Sequence, residues 1–353
     1  PAARPGALGT PPACAILRSM NRRNEATSET DRRPRRFDVC NGDADGLCAV
    51  RQWRLHEPCD STLVTGLKRE IELVERVDAD AGDELLVCDI SLARNRDAVL
   101  RLLERGVRVR YFDHHVAGEP LSHPGLELHV DTAPGVCTSA IVDRVLGGRH
   151  RRWAVVGAFG DNLDALARRL AAAAGLSADE VEQLRTLGEA INYNAYGESE
   201  ADVLVPPARL YATIARHADP LAMLAREPVF GDLDARRRAD LALAAGIEPH
   251  RQDARGSVLL LPDEAWSRRV VGCLANELAR AAPERAHAVL LPTNGDAWRV
   301  SVRAPIAAPT GAGALCARFG GAGRAAAGGV DRLPASELPR FLDEFGAARW
   351  GER

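Results

Sequence analysis

Short apolar runs that end in carboxylate or imidazole side chains recur through the first half of this sequence. The four strand-like runs lead into Asp43 and Asp45, Asp89, Asp113-His114-His115, and Asp161. Helix-like stretches such as residues 47–55 separate the early runs, and this alternation predicts a parallel sheet with helices on both faces. The carboxyl ends of parallel strands lie side by side along one edge of a sheet. The polar side chains that end these runs are therefore expected to converge on one site.

The residues expected at this edge are ligands for hard divalent cations. Carboxylates suit Mg²⁺ and Mn²⁺, and Mn²⁺ also accepts imidazole. Two such ions about 3.5–4 Å apart are a common device for splitting phosphate esters, because together they activate a water molecule and neutralise developing charge. Taken singly, each aspartate is better explained as a turn or helix-capping residue. Their combination in this order with two adjacent histidines favours metal binding.

Several segments resemble, in order, the motifs of the DHH phosphoesterase family. They are residues 42–46 (GDADG), 88–91 (CDIS), 113–115 (DHH), 160–162 (GDN), 298–303 (WRVSVR) and the glycine-rich stretch 319–329. The last two resemble the DHH-associated nucleotide-binding domain, whose hallmarks are a serine–arginine strand and a GGGH loop. The resemblance spans roughly residues 37 to 350. Ordered motifs are far more specific than any one of them alone.

The resemblance implies an α/β protein with a parallel-sheet catalytic domain, a smaller C-terminal α/β domain and an active-site cleft between them. The expected parts are a disordered arginine-rich extension (1–36), the catalytic domain (37–225), a charged linker (226–255) and the DHH-associated substrate-binding domain (256–350). Within the last of these, the apolar pattern predicts strands at 257–261, 286–291 and 297–302 and a helix through 271–282.

The resemblance also implies roles for individual residues. The expected metal ligands are Asp43, Asp45, Asp89, His114 and Asp161. The ions implied are two Mn²⁺, with Mg²⁺ as the alternative. The expected catalytic residues are His115, near the scissile phosphate or the attacking water, and Asp113, a ligand or a carboxylate that orients its neighbours. Family members often carry a histidine four residues before the first aspartate, where this chain has Val39; Asn41 is the nearest residue with an oxygen for a hard cation.

Substrate binding is expected from the C-terminal motifs. The residues concerned are Ser301, Arg303, Gly320, Gly321, Gly323 and Arg324. Ser301 and Arg303 alternate along a strand and so face the same side. The glycines would let backbone N–H groups approach an anion. Arg324 stands where the family has the loop histidine; a guanidinium grips phosphate but donates no proton near neutral pH.

Composition limits the class of substrate and indicates the cellular compartment. With 46 basic and 49 acidic residues the net charge is −3, so no overall positive field would hold long nucleic acid. The eight cysteines include no C-x-x-C pair, which favours a reducing cytoplasm. No apolar run approaches the ~20 residues of a membrane span, so no membrane association is expected. The sequence leaves a homodimer open.

These observations predict a Mn²⁺-dependent phosphodiesterase that hydrolyses short oligonucleotides or dinucleotides, as an exonuclease would, with a water activated by two metal ions. Two alternatives share this chemistry: a phosphatase acting on a mononucleotide such as a 3′,5′-bisphosphate, and a cyclic-dinucleotide phosphodiesterase. An alternative of another class is a catalytically weakened nucleotide-binding or regulatory module. The number of ions bound per chain separates the last from the others.

Overall fold

Five parallel strands form the first sheet of the computed structural model, which describes residues 33–293 and 295–351. They are β1 (Arg36–Asn41), β2 (Thr62–Gly66), β3 (Glu84–Cys88), β4 (Arg108–Asp113) and β5 (Leu126–Val130). Their order is β2-β1-β3-β4-β5, and every neighbouring pair is parallel. Their carboxyl ends therefore share one edge, as predicted. Of the predicted extension, residues 1–32 lie outside the described residues.

Both faces of this sheet are covered by helices. Alternate residues of β1 face opposite ways: Val39 packs in a core with α2 (Leu92–Glu104), whereas Cys40 packs in a core with α1 (Ala44–His56). In α2 the buried residues recur at helical spacing and, apart from Asn95, form one apolar stripe toward the sheet. Val39, which stands where family members often carry a histidine, is fully buried in this core. Its position therefore offers no ligand atom for a metal ion.

A layer of helices follows β5 and covers the α1 face. They are α3 (Thr138–Val145), α4 (Arg151–Gly160), α5 (Asp164–Ala173), α6 (Ala178–Asn194), α7 (Pro207–Ile214) and α8 (Pro220–Leu224). α4 packs against α1, α3, α5 and α6. Its close contact with α1 needs small residues, because a Cβ on Gly160 would lie 2.3 Å from that of Ala44.

The prediction that Asp161 ends a strand was wrong, although Asp161 does lie near the start of a helix, α5 (Asp164–Ala173). Residues 154–160 belong to α4, and Asp161 is the residue at its C-terminal end. The run is continuously apolar because α4 is buried from Trp153 to Gly160. A short apolar run without periodicity does not distinguish a buried strand from a buried helix. Three strand ends and one helix end therefore carry the predicted metal-binding residues.

Six strands form a second, mixed sheet. They are β6 (Arg251–Gln252), β7 (Gly256–Leu260), β8 (Ala286–Thr293), β9 (Ala297–Arg303), β10 (Ala322–Gly323) and β11 (Ala327–Pro334). The order is β10-β11-β9-β8-β7-β6, with only β7 and β8 parallel among these pairs. Three helices accompany it: α10 (Ala265–Ala281), α11 (Ala312–Ala317) and α12 (Leu338–Ala347). The predicted α/β class with two sheets is confirmed.

The stretch predicted as a linker contains the long helix α9 (Val229–Ala245). Leu241 and Ala244 of α9 and Tyr193 of α6 share an apolar core with α10 and with strands β7 and β8. A buried polar network lies beside this core: Arg269 donates through Nε to the hydroxyl of Tyr193 and to Oδ2 of Asp240, both at 2.8 Å. Helices packed beside the first sheet thus also contact the second. The domain boundaries themselves stay predictions.

The cysteines within the described residues are free thiols, and six of these seven are buried. Burial raises the pKa of Cys40, Cys48 and Cys88 well above the usual thiol value. Such thiols stay protonated and pack as small apolar groups. In the same part of the chain, no helix is both long and apolar enough to span a bilayer.

Candidate metal centre

Asp43 lies directly after β1, at the N-terminus of α1. Its Oδ1 caps the helix by accepting from the backbone N–H of Gly46 at 3.1 Å, which is the turn chemistry expected of an aspartate here. Its Oδ2 forms an ion pair with Nζ of Lys68. Burial opposes ionisation of Asp43, but the Lys68 ammonium holds the pKa of this carboxyl below its usual value. Oδ1 of Asp43 thus caps α1, while Oδ2 is paired with a cation.

Asn41 and Lys68 hold the neighbouring loops together. Nδ2 of Asn41 donates to the carbonyl of Lys68 at 3.2 Å, and its Oδ1 accepts from the backbone N–H of Asp43, also at 3.2 Å. The Lys68 ammonium donates in addition to Oδ1 of Asn192 at 3.1 Å. The amide of Asn41 therefore orients the loop that carries Asp43, and its oxygen already has one donor.

Asp45 faces the N-terminus of α3. Its Oδ2 accepts from the backbone N–H of Thr138 at 2.7 Å and its Oδ1 from that of Ser139 at 2.8 Å. A helix N-terminus favours a carboxylate because its first N–H groups lack helical partners. A Cβ on Gly157 would lie 3.1 Å from Oδ1 of Asp45 and 2.1 Å from Oγ of Ser139. The glycine of α4 is therefore needed to let this carboxylate reach α3.

Asp89, directly after β3, has a strained backbone conformation and a carboxyl group whose ionisation is unfavourable. Its φ of 60° lies in the left-handed region, which non-glycine residues seldom adopt. Its Oδ1 accepts from Oγ1 of Thr138 at 3.0 Å. Burial, and then the charges of Asp45 and Asp43, raise the pKa of Asp89 well above its usual value. Three buried carboxylates thus crowd together where additional positive charge would be stabilising.

His114 follows β4 and points into this cluster. Nδ1 lies 2.8 Å from the carbonyl oxygen of Val136, so in the neutral ring Nδ1 carries the hydrogen and Nε2 the lone pair. Nε2 lies 3.3 Å from Oδ1 of Asp89. Burial alone would lower the pKa of His114, but Asp161 and Asp89 raise it to about 10. The ring of the metal-free protein is therefore protonated near neutral pH, and the carbonyl orients it so that Nε2 faces the carboxylates, as in imidazoles that bind metals.

Asp113 is fully buried at the end of β4 and is surrounded by donors. Its Oδ1 accepts from the backbone N–H groups of His114 (2.9 Å) and His115 (3.2 Å) and contacts Nδ1 of His115 at 2.7 Å. Its Oδ2 accepts from the backbone N–H of Leu92 at 3.3 Å. This bonding suits a carboxylate that orients the two histidines better than one that binds an ion directly. His115 keeps Nε2 available, and its side chain is 40% exposed.

Asp161, at the end of α4, reaches the cluster from the helical layer. Its Oδ2 lies 3.8 Å from Nδ1 of His114. A guanidinium nitrogen (Nη2) of Arg324, from the β10–β11 hairpin, lies 3.3 Å from both Oδ2 of Asp161 and Nε2 of His114. The second sheet therefore touches the residues that the first sheet and α4 bring together.

Ser301 and Arg303 share one face of β9, as predicted. Arg303 donates through Nη1 to Oγ of Ser301 at 3.1 Å and through Nε to Oδ1 of Asn276 in α10 at 2.7 Å. Burial lowers the pKa of Arg303, and Asp161 and Arg324 are among the charges that act on it. Arg303 thus lies near the acidic cluster. β9 is bonded to β8 and β11 on its two sides and is not an edge strand.

The glycines of the C-terminal loop serve packing more than anion binding. The N–H groups of Gly320 and Gly321 donate to the carbonyls of Ala317 and Cys316 at the end of α11, so they are not directed at a ligand. A Cβ on Gly321 would lie 2.2 Å from the carbonyl oxygen of Gly329, and one on Gly323 would lie 2.4 Å from that of Ala327. These glycines let the two sides of the β10–β11 hairpin, which carries Arg324, approach each other closely.

The donor atoms at this cluster suit a hard divalent cation. Possible ligand atoms of Asp89, His114 and His115 all lie within 4.8 Å of one another. This trio includes His115, for which the sequence predicted a catalytic role, while Asp43, Asp45 and Asp161 surround it. Carboxylate and imidazole donors together fit Mn²⁺. Burial raises the pKa of Asp89, and the charges of Asp45 and Asp43 raise it further, so a bound cation would favour the ionised form of this carboxyl.

Sequence reasoning missed two residues that contact the predicted ligands. Lys68 lies in a loop after β2, where a lysine ordinarily indicates a solvated surface, yet it pairs with the buried Asp43. Thr138 donates its hydroxyl to Asp89 and its backbone N–H to Asp45. The helix-starting position of Thr138 was a signal for an anion nearby, but nothing local identified which carboxylate it meets.

No family model matches this chain. No curated protein matches it either. Solved structures do match. An exonuclease RecJ bound to manganese has 20% sequence identity and a TM-score of 0.56, covering 89% of this chain and 89% of that one. A pGpG-specific phosphodiesterase, PggH from Vibrio cholerae, has 14% identity and a TM-score of 0.51, covering 89% and 99%.

A third solved structure is a DHH domain described as a member of the s1p family of ribosomal proteins. It has 12% identity and a TM-score of 0.59, and the match covers 89% of this chain and 86% of that one. At these identities the likeness concerns the fold. The chain has the fold of DHH proteins, a parallel five-stranded sheet followed by a mixed sheet, as RecJ does. The resemblance found in the ordered motifs is thereby confirmed as a resemblance of fold.

Proposed function

We propose that this protein is a Mn²⁺-dependent phosphodiesterase that hydrolyses short oligonucleotides or dinucleotides with a water activated by two metal ions. One observation carries the proposal: buried carboxylates and Nε2 of His114 converge at one sheet edge, where Arg324 from the second sheet meets them. Two solved structures with this fold, a manganese-bound exonuclease and a pGpG-specific phosphodiesterase, support the same class of reaction.

The proposed ligands of the ions are Asp43, Asp45, Asp89, His114 and Asp161. When bound, the ions would lower the pKa of a water molecule and stabilise negative charge on the phosphoryl group. The oxygen of Asn41 is a further candidate, although it already accepts from the N–H of Asp43. Mg²⁺ would suit the carboxylates but would use the imidazole less well.

The protein's own groups prepare the reaction in three ways. Asp113 fixes the ring of His115 through Nδ1 and leaves Nε2 directed outward to exchange a proton with the leaving group or the attacking water. Val136 fixes the ring of His114. Arg324 and Arg303 bring positive charge to a phosphate that lies between the two sheets.

The proposed substrates are short because positive charge is local. The net charge is −3, and affinity for long nucleic acid depends on many phosphate contacts. The cationic groups near the candidate metal centre are few, namely Lys68, Arg303 and Arg324 among those described above. Such a site would hold one or two phosphates firmly and leave a longer strand largely unbound.

Turnover with Mn²⁺ on a defined panel tests this proposal. The panel contains a 5′-phosphorylated dinucleotide, a longer single strand, a 3′,5′-bisphosphate nucleotide and a cyclic dinucleotide, with products resolved by chromatography. His114→Ala is the control for a contaminating nuclease. Release of mononucleotides from the dinucleotide by the wild type alone is the expected result. Preference for the bisphosphate or the cyclic dinucleotide would change the substrate within the same chemistry.

Metal content separates the enzyme from a binding module. We expect two Mn²⁺ per chain by equilibrium dialysis with elemental analysis, and loss of at least one in His114→Ala. One ion or none, together with no turnover on the whole panel, would contradict the phosphodiesterase and favour a nucleotide-binding protein.

A further inference from the structure

Among the proposed carboxylate ligands, Asp161 is the one held least firmly by its own side chain. Asp43 and Asp45 accept hydrogen bonds from backbone N–H groups, and Asp89 accepts one from a hydroxyl. Within the part of the chain that the structure describes, the only hydrogen-bond donor to the carboxylate of Asp161 is Arg324. A guanidinium that binds substrate phosphate, as proposed for Arg324, is less available to hold this carboxylate. The place of Asp161 therefore depends on its backbone.

The backbone around Asp161 is a tight turn that ends α4. The N–H of Leu163 donates to the carbonyl of Ala158 at 2.8 Å, and the N–H of Asn162 donates to that of Phe159 at 3.0 Å. These two bonds close a Schellman motif, which needs a left-handed residue directly after the helix. Asn162 has that conformation, with a φ of 59°. A carboxylate at this end of a helix is disfavoured by the helix dipole, so Asp161 does not stabilise α4.

Arg280 of α10 holds the same turn from outside. Its Nη1 donates to Oδ1 of Asn162 at 3.0 Å and lies 3.7 Å from Oε1 of Glu189 in α6. Glu189 also pairs with Arg185 and Arg237, so Arg280 lies against a carboxylate that is itself fixed. Glycine is the usual residue at the left-handed position, but it would offer Arg280 no acceptor. The side chain of Asn162 thus does more than complete the turn.

The face of α10 that carries Arg280 also contacts the residues proposed to bind phosphate. Arg269, Asn276 and Arg280 are seven and four residues apart and therefore share one face. Arg269 belongs to the buried polar network between α6, α9 and α10, and Asn276 accepts from Nε of Arg303. Residues four apart are separated by about 6 Å along a helix. One turn of α10 thus joins the loop of Asp161 to Arg303.

We propose that Arg280 and Asn162 are positioning residues for the candidate metal centre. The hydrogen bond between them fixes the turn that carries Asp161, and α10 thereby holds this proposed ligand in place relative to Arg303. The inference rests on the proposed function, because it takes Asp161 as a ligand of the ions. It adds that a helix of the second sheet helps to determine the affinity of the first sheet for metal.

Two variants remove this contact from opposite sides. Asn162→Gly keeps the left-handed turn and removes the acceptor, whereas Arg280→Met keeps the apolar stem and removes the donors. In calorimetric titration with Mn²⁺ we expect each to bind about fivefold more weakly, as for the loss of one hydrogen bond. The double variant should bind no more weakly than the weaker single variant, because both substitutions remove the same contact. Arg280→Lys keeps a donor and should recover part of the affinity.

The sign of the effect separates positioning from simple electrostatics. Loss of a nearby positive charge would by itself tighten Mn²⁺ binding, so weaker binding by Arg280→Met has to come from geometry. Since the side chain of Arg280 is 36% exposed and glycine suits the turn, neither single variant should lower the Tm in chelator appreciably. Tighter binding by Arg280→Met, or unchanged binding by Asn162→Gly, would overturn the positioning role. A lower Tm with unchanged Mn²⁺ affinity would overturn it as well.

Asn276→Ala, on the same face of α10, is the matched comparison. It removes the acceptor of Arg303 and leaves that of Arg280, so KM for the dinucleotide should rise while Mn²⁺ affinity stays as in the wild type. Weaker Mn²⁺ binding in this variant, equal to that of Asn162→Gly, would overturn a specific role for the Asn162 contact. If the wild type binds Mn²⁺ but cuts none of the substrate panel, while Asn162→Gly still weakens binding, the proposed function fails and the positioning role stands.

Discussion

Asp89 combines a strained backbone with unfavourable electrostatics at the residue scale. Its φ of 60° is seldom adopted by residues with a Cβ, although aspartate and asparagine tolerate it best. Its carboxyl lies near those of Asp43 and Asp45, which raise its pKa further after burial. Strain of this kind persists where the surrounding structure enforces it, most often at functional sites. Asp89 is thus the residue at which stability and function are expected to conflict.

Asp89→Asn is expected to separate these two properties. Asparagine keeps the left-handed backbone and the size of the side chain but removes one negative charge from a crowded group. In the absence of metal we therefore expect a Tm equal to or above that of the wild type. Turnover with Mn²⁺ should fall by more than about a hundredfold, because a ligand charge is lost. Thermal unfolding in chelator and steady-state kinetics measure the two effects. A large fall in Tm would indicate a structural role instead.

Lys68 competes with metal ions for Asp43. Its ammonium pairs with the buried carboxylate, so Lys68→Gln leaves Asp43 without that partner in the metal-free protein. We expect a lower Tm in chelator and Mn²⁺ binding that is tighter by up to roughly tenfold, since the competing cation is gone. Calorimetric titration with Mn²⁺ measures the second effect. Weaker Mn²⁺ binding would show that Lys68 mainly holds Asp43 in position.

Candidate site residues could be predicted from the sequence where they directly follow a strand that the sequence itself indicates. Asp43, Asp89 and His114 follow three parallel strands, and parallel strands bring their ends to one edge. Lys68 and Thr138 were not predictable in the same way, because their partners lie far away in the sequence. A lysine in a loop and a threonine at a helix start have satisfactory local explanations, and only the folded chain shows which carboxylates they meet.

At the scale of single elements, one buried ion pair fixes α1 against β1. Arg54 of α1 and Asp38 of β1 are joined by several hydrogen bonds, and their side chains are 10% and 1% exposed. Oγ of Ser61 donates to the same carboxylate at 2.6 Å. Asp43 lies between these two elements, so the pair also determines where this proposed ligand stands.

Asp38→Ala should destabilise the protein strongly. The substitution leaves the guanidinium of Arg54 buried and without its main partner, which costs about 3–5 kcal/mol. Glu84→Gln is the comparison, because Glu84 makes partly exposed pairs with Arg36 and Arg108 and should cost less than about 1 kcal/mol. Urea unfolding followed by circular dichroism measures both. Similar small effects for both variants would contradict this account of α1 and β1.

His287 of β8 makes the second sheet sensitive to acid. It is buried, and its Nδ1 lies 2.8 Å from Oγ of Ser257 in the adjacent strand. Burial lowers its pKa in the folded protein. The unfolded chain therefore binds more protons than the folded one below the ordinary histidine value of 6.5. Stability associated with this residue is present above that pH and is lost as the pH falls below it.

His287→Gln should reduce this loss of stability in acid. We expect the fall in Tm between pH 7 and about pH 5 to be smaller in the variant than in the wild type. His250→Gln is the control, because His250 is exposed. The Tm of this variant should depend on pH as that of the wild type does. An unchanged pH profile in His287→Gln would mean that other groups dominate the acid response.

The sequence predicted several strands of both sheets, and α4 shows why one prediction failed. Strands β1 to β4 and β7, β8 and β9 lie close to where alternation and apolar runs placed them, whereas β5 (Leu126–Val130) was not predicted. Residues 154–160 looked like a buried strand because a helix buried on all sides has no polar face. The packing that buries α4, against α1, α3, α5 and α6, is set by tertiary contacts that a single run of residues does not reveal.

At the scale of the whole molecule, the proposed site depends on contact between the two sheets. Tyr193 of α6, Asp240 of α9 and Arg269 of α10 form one buried network, which fixes the second sheet beside the helices of the first. The hairpin that carries Arg324 reaches His114 and Asp161 from that position. In the proposed site the first sheet would therefore supply most of the donors for metal ions, and the second sheet would supply cations for phosphate.

Arg324→Ala tests this division of work. The guanidinium touches Asp161 and His114 from the second sheet without fixing the backbone of either. If it binds substrate phosphate in the ground state and the transition state alike, its loss raises KM, by about tenfold for one charge-assisted contact, and changes kcat little. Arg324→Lys keeps the charge without the planar fork of donors and should lie between. Mn²⁺ affinity should not fall, since a nearby positive charge is removed. A fall in kcat at constant KM would instead place Arg324 among the groups that act only in the transition state, and weaker Mn²⁺ binding would mean that it positions the ligands of the first sheet.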